Sequence, residues 1–261
     1  MDPIRNLTAL AVLVVGMCAG SAQAQIVNVQ ALIGDEPEEG FSGSVEAGAD
    51  YRRGNIDLLL ARAAATARYR RGDDIVFAIV KSEYGRTGEP SATFVKKVFE
   101  HVRYRHVLTP ILTAEAFAQH EGDRFRRLRV RALVGAGPRA RIAHGEGWSL
   151  HGGAAYMFEH EQLSEDALAE AGERSNAHRL SAYLVGHVEV NEHVTASATF
   201  YVQPRLDRAS DVRLLGEAAL ATALSTHLTF KTALVVAHDS EPPPAIEGTD
   251  VSVQSTLGAK F

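Results

Sequence analysis

The last twelve residues, Asp250-Val-Ser-Val-Gln-Ser-Thr-Leu-Gly-Ala-Lys-Phe261, decide the fold. Val251, Val253, Leu257, Ala259 and Phe261 fall on one face, and Asp250, Ser252, Gln254, Thr256 and Lys260 on the other. A period of two is the signature of a strand with one apolar and one polar side. The same rule holds upstream. Val194, Ala196, Ala198, Phe200 and Val202 oppose Thr195, Ser197, Thr199, Tyr201 and Gln203. Trp148, Leu150, Ala154, Tyr156 and Phe158 share a face, as do Leu180, Ala182, Leu184, Val188 and Val190, and Leu228, Phe230, Leu234 and Val236. In 127–136, Leu128, Val130, Ala132 and Val134 alternate with Arg127, Arg129 and Arg131.

Weaker segments at 43–52, 56–69, 75–84, 94–106, 111–120 and 211–224 bring the count to about twelve strands. Two of them, DLLLARAAATAR and LLGEAALATAL, favour a helix locally, so tertiary context has to override propensity there. The joins near 70–74, 107–110, 143–147, 191–192 and 225–226 are tight. Those at 85–92, 121–124, 159–177, 204–210 and 238–248 are mostly longer and more polar. An even strand count with short turns on one side and long loops on the other predicts an all-β, antiparallel transmembrane β-barrel of the outer-membrane type. Backbone in hydrocarbon must pair every N–H and C=O, and a closed sheet does so without a helix. A soluble sandwich or lipocalin-like barrel produces the same alternation with its apolar face turned inward. Aromatic residues make up only 7% of the chain, thin for membrane girdles, and this favours that alternative.

The rest of the composition is consistent with export. The 261 residues carry a formal charge of −5, which disfavours nucleic acid as a partner. Residues 1–24 read as a signal peptide, with Arg5 before an apolar run from Leu7 to Met17 and cleavage between Ala24 and Gln25. A membrane anchor, or a lipid anchor at Cys18, are the competing readings. Removing 24 of 261 residues leaves 237 and removes the single cysteine, so the mature chain has no disulfide, thiol nucleophile or thiolate metal site. Residues 25–40 read as a periplasmic lead-in, and 41–261 as the barrel, with both termini periplasmic and the protein in the outer membrane. Its expected partners are outer-membrane lipid and lipopolysaccharide, the barrel-assembly machinery acting on the C-terminal strand through Phe261, and small ions or solutes.

Several stretches resemble the salt-induced outer-membrane protein family, a bacterial group defined by a domain of unknown function. They are Phe41-Ser-Gly-Ser-Val-Glu46, Arg53-Gly-Asn55, Phe117-Ala-Gln-His-Glu-Gly-Asp-Arg-Phe125, Arg131-Ala-Leu-Val-Gly-Ala-Gly137 and Ser240 to Asp250 continuing to Phe261. The likeness spans roughly 41–261. It implies a Gram-negative outer-membrane barrel and no reaction, and the family name implies expression under salt or acid stress.

Reactive constellations are sparse. His120 with Asp123, His160 between Glu159 and Glu161, and His238 with Asp239 lie where strands meet long loops, and they read as solvated edge residues. No Ser sits in a G-x-S-x-G elbow, and no H-E-x-x-H zinc motif occurs. Glu159-His160-Glu161 could hold a divalent cation weakly, but adjacent residues of a strand point to opposite faces, which weighs against a site there. No catalytic residue, metal or cofactor is assigned.

The informative constellation is a ladder of charge on the inward face: Arg103, Arg105, Glu115, Arg127, Arg129 and Arg131. A hairpin through 107–110 is expected to set Arg103 across from Glu115. One through 121–124 is expected to set Glu115 across from Arg131, Arg129 across from Phe117, and Arg127 across from Gln119. Such a ladder either locks the wall and fills the lumen, or forms a basic stripe that favours anions. The acidic loop 159–177, in which Ser164 could cap a short helix, reads as extracellular. Three functions stay open: a structural or stress-associated envelope barrel with a charged, largely filled lumen; a narrow channel with anion preference; and a rim enzyme acting on lipid or lipopolysaccharide.

Overall fold

A computed structural model describes residues 26–30, 37–52, 58–87, 92–124, 128–164, 174–242 and 247–260. The signal segment, the Ala24–Gln25 cleavage site, Arg127, the Arg53–Asn55 turn and Phe261 lie outside the described residues.

Twelve strands form one closed antiparallel barrel, each pairing with its chain neighbour and the last returning to the first. They are β1 (Gly40–Arg52), β2 (Leu58–Arg71), β3 (Asp74–Thr87), β4 (Ala92–Val107), β5 (Leu112–Asp123) and β6 (Leu128–Gly145). β7 (Trp148–Leu163), β8 (Arg174–Asn191), β9 (Val194–Pro204), β10 (Val212–Ala223), β11 (Leu228–Asp239) and β12 (Thr249–Lys260) complete the ring. Closure runs through Ser44↔Lys260 to Ala47↔Leu257. Both helix-prone segments are strands, β2 and β10, because each is paired along its length on two sides. Gly72 and Gly147 sit in two-residue turns with φ of 60° and 70°, the left-handed region that tight hairpins require.

Alternation sets the two faces. Val253, Leu184, Phe200, Leu220, Leu234 and Tyr156 face outward and are exposed. Val253 is 67% exposed, so none of the described residues covers the apolar stripe there. The inward face holds the buried charges and also two apolar clusters. One contains Ile75, Phe77, Ile79 and Phe99, and the other Tyr183, Val185, Tyr201 and Leu215.

Two sequence expectations need correction. Part of the presumed lead-in is inside the barrel: Ile26 packs with the second cluster and Val29 with the first, and Asn28 and Gln30 are buried. The long loop expected at 159–177 is shorter than that. β7 runs to Leu163 and β8 starts at Arg174, which turns Glu159 and Glu161 into wall residues. Residues 165–173, where the short helix was expected, are outside the described residues.

Candidate functional site: two carboxylates in the lumen

Alternation brings Arg103 and Arg105 on β4 and Glu115 on β5 to the inward face. The register is shifted from expectation: Arg105 faces Glu115, and Arg103 faces Phe117. A guanidinium is long enough to bridge the diagonal as well as the direct neighbour. Arg105 Nε therefore donates to Glu115 Oε1 at 2.6 Å, and Arg103 Nη1 to Oε2 at 2.9 Å. Tyr183 reaches across the lumen from β8 and donates its hydroxyl to Oε2 at 2.7 Å. Arg139 Nε stands 3.8 Å from Oε1. Arg105 also donates to Gln30 Oε1 at 2.8 Å, tying the buried N-terminal segment to this centre. The Arg103 guanidinium lies over the Phe117 ring, and that of Arg105 over Phe77.

The expected pairing of Glu115 with Arg131 does not occur. β5 extends to Asp123, so the hairpin closes further along the chain, and Glu115 faces Gly137 while Arg131 faces Glu121. Phe117 and Gln119 accordingly face Gly135 and Leu133 instead of Arg129 and Arg127. Irregular pairing between Leu128 and Val130 turns Leu128 inward and leaves Arg129 exposed. Arg129 is thus exposed and not buried among the lumen charges as expected.

Arg131 instead belongs to a second centre, on the long-loop side, around Glu159 of β7. Arg131 donates to Oε2 through Nε at 2.7 Å and also through Nη2. Arg213 Nη1 of β10 lies 2.7 Å from both carboxylate oxygens, and Arg179 Nε of β8 is 3.3 Å from Oε1. Further carboxylates surround these cations: Asp239 at 3.1 Å and Glu161 at 3.3 Å from Arg213, and Asp211 at 2.9 Å from Arg179. Lys97 bridges Glu121 and Asp123 at 3.4 and 3.5 Å. Buried facing charges attract at reduced dielectric, so each network stiffens the wall it spans. Sequence reasoning missed Glu159 as a hub, although Glu159, Arg179 and Arg213 all fall on the inward parity of their strands.

The rim candidates do not converge. His120 points outward, with Nδ1 3.3 Å from Glu100, whereas Asp123 points inward to Lys97. His160 bonds Asn176 at 2.8 Å, and His238 bonds Thr249 at 2.8 Å, while Asp239 serves Arg213. Among the described residues no three metal-ligating side chains cluster. Outside the strands, Arg205 forks onto Asp207 at 2.6 and 3.0 Å, and these hydrogen bonds hold the Asp207 carboxyl below its ordinary pKa.

Residues 45–261 match the family described as "Protein of unknown function, DUF481". No curated protein matches the chain. Among solved structures it is similar to the NanC porin, at 10% identity and a TM-score of 0.47, covering 84% of this chain and 97% of that one. It is also similar to the translocator domain of the autotransporter NalP from Neisseria meningitidis, at 13% identity and a TM-score of 0.48, with coverage of 87% and 90%. The KdgM porin gives 7% identity and a TM-score of 0.43, with coverage of 85% and 98%.

Proposed function

We propose that this chain, which belongs to the DUF481 family of unknown function, is an outer-membrane barrel with a closed lumen and a structural role in the cell envelope. One observation carries the reading. Glu115 and Glu159 each draw guanidiniums from several strands, and Ile26 to Gln30 occupy space between the walls. Two cavities among these side chains enclose about 10 and 20 Å³, room for about one water each. A hydrated ion needs a wider and continuous path. Placement in a bilayer is supported by the exposed apolar stripe, which costs free energy in water and none in lipid.

The experiment is planar-bilayer recording on the purified mature chain. Absence of unitary current under stable insertion is the expected result. Steady current with anion preference is the contrary result, and the excess of guanidinium over carboxylate at Glu115 is what would produce it.

A further inference from the structure

On the short-turn side of Glu115, inward positions of four consecutive strands surround a cleft: Arg105 on β4, Thr113 on β5, Arg139 and Arg141 on β6, and His151 on β7. The wall is contiguous, since Thr113 faces Arg139 and Arg141 faces His151.

Among the described residues the charges paired at Glu115 do not balance. Glu115 is the one carboxylate paired with Arg103, Arg105 and Arg139 among the described residues. Its oxygens already accept from Arg105, Arg103 and Tyr183. Arg139 is left at 3.8 Å, and its Nε donates no hydrogen bond although the side chain is only 8% exposed. A guanidinium does not shed its proton, so burial without a full partner is costly and persists at any physiological pH. An anion from outside the wall relieves it.

We propose that this cleft is a binding site for a small oxyanion of the phosphate class, with Arg139 as its principal donor and Thr113, Arg141 and His151 around it. The enclosed space takes about one oxygen-sized atom, so one oxygen of the anion enters and the remainder faces the mouth bordered by Pro110 and Ile111. The guanidinium fork suits such an oxygen, and burial of Arg139 strengthens the contact.

The test is calorimetric titration of the folded, detergent-solubilised mature barrel with inorganic phosphate at constant ionic strength. Saturable binding is expected. Arg139→Gln should weaken it about tenfold or more, since a charge-assisted hydrogen bond is lost. Arg129→Gln, on the outer face, should leave it unchanged. Thr113→Val keeps every charge and should weaken binding by a smaller factor, which keeps the test decisive if Arg139→Gln does not fold. Competition by short-chain phosphatidylglycerol would assign the site to a lipid headgroup, and its absence to free phosphate. No phosphate binding by the wild type, or equal binding by Arg139→Gln, overturns the proposal.

Discussion

Tyr183 stands directly across from Gly153, and its ring occupies the space that a Cβ on Gly153 would fill, 2.4 Å from that position. The same relation recurs at Phe117 over Gly135 and Trp148 over Gly145. In each pair an aromatic lies over the cross-strand glycine and covers its backbone. For Tyr183 the consequence is chemical, because lying flat on Gly153 is compatible with its hydroxyl reaching Glu115 at 2.7 Å. Gly153→Ala should therefore destabilise the barrel by about 1–3 kcal/mol, as overpacking does. Urea unfolding in micelles would measure this. The double variant with Tyr183→Ala should cost less than the two single changes together, since the clash is then gone.

Glu115→Gln keeps shape and removes the charge that three guanidiniums share. Breaking a buried ion pair on one side typically costs about 3–5 kcal/mol, and that range is expected here. The readout is the urea midpoint, with folding followed by the mobility shift on heating in gels. Glu159→Gln should cost less, because Asp239, Glu161 and Asp211 stay beside its cations.

Deleting residues 26–30 should open the lumen in part. The segment contributes Ile26 and Val29 to the two apolar clusters and Gln30 to Arg105. Planar-bilayer recording should show small, flickering current from the deletion variant and none from the mature chain.

Arginine scanning of the outer face separates lipid from water. Leu184, midway along β8, is 48% exposed, and Leu224 lies at the turn after β10. In lipid, Leu184→Arg should cost about 2–4 kcal/mol and Leu224→Arg about 0–1, because the penalty depends on depth. Folding titrations into phosphatidylcholine vesicles would report both.

The architecture was legible because its determinants are local. Strand number, turn side and face follow from alternation and turn residues, and Val251, Phe200 and Tyr156 all face outward as their parity requires. Register was less legible. A bulge beside Leu128 moves Arg129 to the outer face without changing the composition of the segment. Contacts across the lumen were not legible at all. Arg213 on β10 meets Glu159 on β7 only because of the curvature and stagger of the closed sheet, which no pairwise spacing encodes. The buried segment escaped for a related reason: Ile26 to Gln30 is too short to show a period, and its partners lie on distant strands.

Trp148, the single tryptophan of the chain, sits on the outer face at the start of β7 and is 44% exposed. Its fluorescence in vesicles whose lipids carry bromine near the headgroup end of the acyl chain tests most directly whether the apolar face lies in lipid. The account predicts strong quenching by the brominated lipid and weak quenching by aqueous iodide. Full iodide quenching with no response to bromine would contradict it.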